Sequence, residues 1–267
     1  MNYGGIEGVP DFTAQPFEEK RTKYCVLIPI INEEKHIFQE LARIKKCGVH
    51  NACDIIICDG GSTDCGADPG ALRKHGVAVL LTKTGPGRQS AQLRMGLWWA
   101  LEQDYEGFIT VDGNNKDSVE DIPRFIEMLE KGYDFVQGSR YLPGGQAINT
   151  PKLRHFAIKL IHAPVTSLAA GCRFTDSTNG FRAHSKKYIT HPEVKPFRDV
   201  FDSYELLAYL SVRASQLGLK VCEIPVARVY PKTGKIPTKI RPVKGSAMLL
   251  SILIKNLFRR YHQTGLV

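Results

Sequence analysis

Several protein classes are excluded by what this 267-residue chain does not contain. There is no Cys-x-x-Cys pair. The seven cysteines, Cys25, Cys47, Cys53, Cys58, Cys65, Cys172 and Cys222, are odd in number and scattered, with no histidines at zinc spacing. That argues against a disulfide framework or a structural metal and for a reducing compartment. No apolar run approaches the roughly 20 residues that cross a bilayer. The opening Met1 to Gly8 has neither the basic start nor the apolar stretch of a signal peptide, so a soluble or peripheral cytoplasmic chain is expected. A Gly-Lys-Ser/Thr phosphate loop is missing, and Gly85-Pro86-Gly87-Arg88-Gln89-Ser90 is a poor dinucleotide fingerprint: Pro86 removes an amide, the last glycine is absent, and the segment follows a third strand. Nor does a glycine- and arginine-rich loop for a triphosphate follow the first strand, where Ile31-Asn32-Glu33-Glu34 stands instead. Repeats and low-complexity tracts are lacking.

What is present describes an ordinary folded protein. Hydrophobic residues make up 43% and charged residues 24%, enough to bury a sizeable core, and the length suits one α/β unit with an elaborated second half. Lys+Arg 36 against Asp+Glu 27 leaves a net charge of +9, which points to an anionic partner: a phosphorylated substrate, a membrane surface or nucleic acid. No motif that reads RNA or DNA accompanies the charge, so nucleic acid is not expected as a partner.

Along the chain, residues 1–21 show no periodicity and read as an arm. Tyr24 to Ile31 is continuously apolar, as a strand buried on both faces would be, and Ile37, Leu41 and Ile44 follow at helical spacing. Ile55-Ile56-Ile57-Cys58 ends in Asp59-Gly60-Gly61-Ser62-Thr63-Asp64, Val77 to Leu81 ends before Gly85, and Phe108 to Val111 ends in Asp112-Gly113-Asn114, with a helix from Gln89 through Leu101 between the last two. A helix from Ser118 to Lys131 stops at Gly132. After Phe135 to Gly138 come a Gly/Pro-rich link, a helix around Lys152–Ala170, a polar loop at Thr175–Arg182, a helix at Ser203–Leu217, a strand near Val221–Tyr230, and a helix from about Gly245 to Tyr261. Trp98 and Trp99 lie within a helix, where packing is the expected role.

Strands alternating with helices imply a parallel sheet whose ligand sits outside the carboxyl ends of the strands, so the polar tips would converge. Asp59 and Asp112 end different strands. Either alone reads as turn chemistry, since Asp-Gly is a turn dipeptide; together, with Arg88 between them, they favour a nucleotide site.

In order, Val26-Leu27-Ile28-Pro29 with Asn32-Glu33, Asp59 to Asp64, Gly87-Arg88, Thr110 to Asn114, and Gly138-Ser139-Arg140-Tyr141 resemble the motifs of the inverting GT-A glycosyltransferases of family 2. Asp176 to Arg182 and Gly218 to Val226 are similar to the branch that contains dolichyl- and polyprenyl-phosphate sugar transferases. The resemblance covers about residues 22–240. It implies a GT-A fold, a mostly parallel Rossmann-like sheet flanked by helices. It divides the chain into the arm (1–21), a catalytic domain (22–241) with a nucleotide-sugar half (22–135) and an acceptor half (136–241), and a C-terminal helix (242–267).

The resemblance further implies that Pro29, Asn32, Glu33, Asp59 and Arg88 bind the nucleotide-sugar. Asp112 and Asn114 would be the D-x-D pair, holding Mg²⁺ or Mn²⁺ against the diphosphate. Arg140, Arg154, Arg182 and Lys239 would receive the acceptor, with Asp112, Asp176 and Arg140 carrying catalysis. Two positions depart from the family pattern: Gly60 replaces a second Asp, and Asn114 replaces the second Asp of D-x-D, with Lys116 where a further ligand often stands. Asn brings an oxygen but no charge, so weaker metal binding is expected, helped by Asp117, or else Lys116 meets the diphosphate itself.

A phosphate acceptor is already anionic and needs no base, whereas a hydroxyl acceptor would need Asp176, Asp202 or Glu205, although Asp202-Ser203 reads better as a helix cap. The preferred acceptor is a polyprenyl phosphate or another membrane-associated or phosphorylated molecule. The alternatives are a soluble hydroxyl acceptor in polysaccharide or secondary-metabolite assembly and a non-catalytic nucleotide-sugar binder. The basic stretch Tyr230 to Arg241 reads equally as a cover over a diphosphate or a solvated loop, and the apolar run from Ala247 with Lys255, Arg259 and Arg260 suits a membrane surface.

Overall fold

The computed structural model describes residues 1–232 and 242–262. The long apolar segments become the strands of one nine-stranded sheet because both faces of that sheet are covered. In β3 (Tyr24–Ile30), Cys25 and Leu27 face one core while Val26, Ile28 and Ile30 face the other. Helix α1 (Glu34–Lys46) lays Ile37, Leu41 and Ile44 on the second face. β4 (Asp54–Asp59) is buried throughout, a short helix α2 (Pro69–Lys74) follows, and β5 (Val79–Lys83) leads into α3 (Gln89–Glu102) on the first face. Residues Ser90 to Leu97 of α3 are all buried, which is why its sequence shows little of the one-sided pattern of a surface helix.

β6 (Gly107–Thr110) precedes α4 (Ile122–Glu130), which a single turn of 3₁₀ helix introduces, and β7 (Phe135–Ser139). β8 (Gln146–Ile148) and a helical stretch come next: α5 (Lys152–Ala157), a π-helical turn at Ile158–His162, and α6 (Ala163–Ala170). Pro164 has no N–H, and its ring would clash with the carbonyl of Leu160, so the turn before it widens. β9 (Arg182–Ser185), α7 (Lys186–Ile189), α8 (Glu205–Gln216), β10 (Val221–Pro225), β11 (Ala227–Val229) and α9 (Pro242–Leu257) complete the chain.

With β1 (Asn2–Tyr3) and β2 (Phe12–Pro16) at the start of the chain, the sheet order is β1-β2-β5-β4-β3-β6-β9-β7-β10, and β11 pairs with β8 apart from it. β5, β4, β3 and β6 are mutually parallel; β9 runs antiparallel between β6 and β7. The mostly parallel sheet expected from the sequence is present, and four differences stand out. Residues read as an arm supply β1 and β2, β2 pairing antiparallel with β5 and β1 antiparallel with β2. The strand expected at Val77–Leu81 begins at Val79. The single strand expected near Val221–Tyr230 is split after Pro225, with β11 turning away to meet β8. The cap expected of Asp202 is not made; its carbonyl instead accepts from the backbone N–H of Arg88 and Ala91. Trp98 packs edge-on against Tyr3 and Phe12, and Trp99 is buried, as expected for packing residues.

Candidate active site

The carboxyl ends of β3, β4 and β6 deliver Asn32, Asp59 and Asp112 to one edge of the sheet. At the first two tips the residues staple their loops together. Asp59 accepts from the N–H groups of Gly61 and Ser62 at 3.1 and 3.0 Å and from Ser62 Oγ at 2.5 Å. Asn32, at φ +51°, accepts on Oδ1 from Thr63 N at 2.7 Å, and its own N–H donates to Ser62 Oγ at 3.0 Å. Glu33 pairs with His36 at 3.0 Å, and Pro29 is buried in β3 opposite Cys58. Arg88 is exposed at the head of α3, and Gln92 beneath it donates to the carbonyls of Ile30 and Cys58, both at 2.7 Å. That staple, which the sequence did not disclose, fixes the two strand ends against the helix.

At the third tip Asp112 accepts from Gln89 Nε2 at 3.0 Å on Oδ1 and from Arg228 Nη2 at 2.9 Å on Oδ2. The same guanidinium donates through Nη1 to Asp117 and to Asn179 Oδ1. Burial alone would raise the Asp112 carboxyl, but Arg228 and Lys116 outweigh it and hold the group below its ordinary value. For Asp117 burial prevails over Arg228 and the carboxyl is raised. Lys116 is buried with its ammonium 5.2 Å from the centre of the Tyr230 ring, and burial and then Arg228 lower its pKa. Beneath this loop the buried Glu40 accepts from Asn115 N at 2.6 Å, and burial raises its carboxyl well above the usual range.

Tyr230 gathers cations. Arg154 donates to its hydroxyl at 3.1 Å and lies 5.7 Å from the ring centre, and Arg228 lies 5.9 Å from it. Burial would raise the phenol, yet Arg228, Arg154 and Arg140 together lower it. Arg140 and Asp176 form a buried bidentate pair at 2.6 and 2.8 Å. Burial raises Asp176, but Arg140 overrides it and leaves the carboxyl low. Glu223 holds the Asp176 loop by accepting from the N–H groups of Thr175 and Asp176 at 2.8 and 3.1 Å.

Of the residues expected to meet an acceptor, Arg154 stands in this cation cluster. Arg140 is committed to Asp176. Arg182 is built into the loop, its guanidinium donating to the carbonyls of Asn179, Ser177 and Leu207. Lys239 lies outside the described residues.

The side chains at Asp112 and Asn114 do not fit a divalent ion as placed. Asn114 Oδ1 and Asp117 Oδ1 are buried with no hydrogen-bond partner among the described residues, but the charge on Asp112 and Asp117 is already met by one guanidinium. A dication at Asp112 would have to displace Arg228 and share the pocket with it and with Lys116. Among the described residues, no group of three His, Cys, Asp or Glu is arranged to hold a metal.

No family model matches the chain. It is 28% identical over 249 residues to an uncharacterized protein of Methanocaldococcus jannaschii, spanning 90% of this chain and 95% of that one. It is 27% identical over 218 residues to an undecaprenyl-phosphate mannosyltransferase of Micrococcus luteus (80% and 86% covered). Among solved structures it matches glucosyl-3-phosphoglycerate synthase from Mycobacterium tuberculosis in complex with Mn²⁺, UDP and glucosyl-3-phosphoglycerate, at TM-score 0.62 and 17% identity over 89% of this chain and 79% of that one. The fold is GT-A. Relatives named for sugar transfer to polyprenyl phosphates are in line with the resemblance drawn from the strand-tip motifs. The motifs that carry it, at β3, β4 and β6, are the ones the fold brings to a common edge, and a structural neighbour binds Mn²⁺ and UDP together. Missing from the sequence reading were Gln89, Gln92, Glu40 and Arg228. Arg228 left one signal, a cation in the mostly apolar stretch from Ile224 to Tyr230.

Proposed function

We propose that the protein transfers a sugar from a nucleotide-sugar to a polyprenyl phosphate at a membrane surface. One observation carries the reading: Asp112, at a strand tip beside that of Asp59, is tied through Arg228 to a cation cluster in which Arg154, Lys116 and Arg228 surround Tyr230. The donor would lie along Pro29, Asn32, Glu33, Asp59 and Arg88, and the acceptor phosphate would meet Arg154. A phosphate oxygen attacks the anomeric carbon; the new C–O bond forms as the bond to the nucleoside diphosphate breaks, the electron pair leaves with the diphosphate, and configuration inverts. No proton has to be removed. This agrees with Asp176 being tied to Arg140 rather than free to act as a base. The undecaprenyl-phosphate mannosyltransferase and the polyprenol monophosphomannose synthase to which the chain is similar support the acceptor class.

The surface supports the membrane part. Leu153, Phe156, Leu160 and Leu168 make an exposed stripe along the helical stretch from α5 to α6, flanked by Lys152 and Lys159. Leu250, Ile254 and Phe258 make another on α9 and just beyond it, beside Lys255, Arg259 and Arg260. Such faces rest in the headgroup region of anionic bilayers. No described helix is long and apolar enough to cross a membrane. A groove lined by Tyr141, Lys159, Pro164, Arg173 and Phe174 opens beside the first stripe and would suit the acceptor's apolar chain.

The test is nucleoside diphosphate release from UDP-, GDP-, CDP- and dTDP-sugars with and without a polyprenyl phosphate. Release that requires the lipid is expected. Release that proceeds equally with a soluble hydroxyl acceptor would overturn the acceptor class, and donor binding with no release to any acceptor would favour a non-catalytic binder. Co-sedimentation with vesicles containing anionic lipid should fall on Leu160→Asp, and unchanged sedimentation would remove the membrane part.

A further inference from the structure

The place where a D-x-D motif would hold a divalent ion is spanned here by Arg228, whose guanidinium bridges Asp112 and Asp117 as an ion would. Backbone pairing holds it there. Val229 N donates to the Lys116 carbonyl at 2.8 Å and Ser118 N to the Ala227 carbonyl at 3.0 Å, while Asp117 and Arg228 form a β-bridge. On its other side Arg228 is paired in register with Ala147 of β8. The segment that supplies the cation is therefore zipped along the loop that supplies the carboxylates, and the guanidinium is buried. Asn114 removes one unit of the negative charge that attracts a dication, and Lys116 adds a positive one two residues later.

We propose that in this transferase protein cations replace the metal: Arg228, with Lys116 beside it, neutralises the donor diphosphate, and donor binding and turnover need no divalent ion. The inference rests on the donor-site reading above. As the bond between the anomeric carbon and the diphosphate oxygen breaks, the electron pair stays on that oxygen and the fixed cations meet the growing charge without exchanging a proton. Arginine suits the task because its planar, always-charged fork has five N–H groups, of which those given to Asp112, Asp117 and Asn179 account for three, so the same guanidinium can also meet phosphate oxygens.

The experiment titrates UDP, GDP, CDP and dTDP into the full chain by calorimetry, once in excess EDTA and once with Mn²⁺, and follows the paramagnetic resonance signal of free Mn²⁺ as protein and nucleotide are added. At least one diphosphate should bind equally well in both conditions, and protein should add no Mn²⁺ binding beyond that of the nucleotide alone. Arg228→Gln should weaken that binding in EDTA roughly tenfold or more, the size expected for charge-assisted hydrogen bonds, while leaving binding of the matching nucleoside unchanged. Binding that appears only with Mn²⁺, with the ion taken up by the protein complex and lost in Asp112→Asn, would overturn the inference and leave the donor site standing. Failure of every diphosphate to bind in either condition would overturn the donor-site reading and the inference with it. Should Arg228→Gln not fold, the comparison of EDTA and Mn²⁺ on the unaltered chain decides alone.

Discussion

Gly180 sits against the Asp112 carboxylate so closely that a β-carbon there would come 2.8 Å from Oδ1. Gly180→Ala must therefore push Asp112 off Arg228 or off Gln89. We expect nucleoside diphosphate release to fall roughly 10²-fold, the scale of losing one preorganised electrostatic contact, with stability down about 1–3 kcal/mol. Steady-state kinetics and thermal melts separate the two effects. Asp176→Ala leaves the Arg140 guanidinium buried without its carboxylate, at a cost of about 3–5 kcal/mol; Asp176→Ala with Arg140→Met should recover much of that in a denaturant titration. Asp59 and Asp112 were legible in the sequence because each follows an apolar strand and begins an Asp-Gly turn. Gln89 and Arg228 were not, because what brings them to Asp112 is contact across long stretches of chain. Arg140 and Asp176 illustrate the middle ground: resemblance brought both forward, but not that they would neutralise each other.

Long elements with strong apolar patterning were legible, and those shaped by their neighbours were not. β3, β4, α1 and α4 lie close to where periodicity puts them, since a strand buried on both faces and a one-sided helix each leave a direct mark on the order of residues. β8 and β11 have three residues apiece and are held by each other and, for β11, by residues 116–118, and β9 is polar at both ends because Arg182 and Ser185 bond outside the ladder. The π-turn ahead of Pro164 could be anticipated from that proline, yet its width depends on the helix continuing through it. Restoring the N–H with Pro164→Ala should let the turn tighten to α geometry. Slower amide hydrogen exchange at Ile158–His162, read by mass spectrometry, is the expected result; unchanged exchange would mean that neighbouring packing, not the proline, sets the turn.

At the scale of the whole molecule, the sheet separates two apolar cores, and one histidine is caught against them. His184 in β9 is fully buried between Phe135 and Tyr188, with neither ring nitrogen hydrogen-bonded among the described residues. Burial, with Arg182 adding to it, lowers its pKa from 6.5 to about 3. The unfolded chain thus binds a proton that the folded chain refuses between those values, so stability is full above pH 6.5 and lost progressively as the pH falls toward 3. The contribution reaches about 2 kcal/mol by pH 5. His184→Phe keeps the ring packing and should flatten that part of the slope, measured as the difference between the two chains in urea titrations from pH 7 to pH 4.

Because β9 lies hydrogen-bonded beside β7, residues 140–181 leave the sheet and re-enter it at neighbouring points, with the Arg140–Asp176 pair fastening the excursion at its root. Topologically it is a hairpin with an unusually long loop. Lengthening such a loop is thermodynamically mild, about 0.6 kcal/mol for each doubling, so long as its root is kept. The fold thus presents 141–175 as an insertion between clasped ends, and since β8 within it pairs with the strand that carries Arg228, a foreign segment grafted there would have to keep that strand.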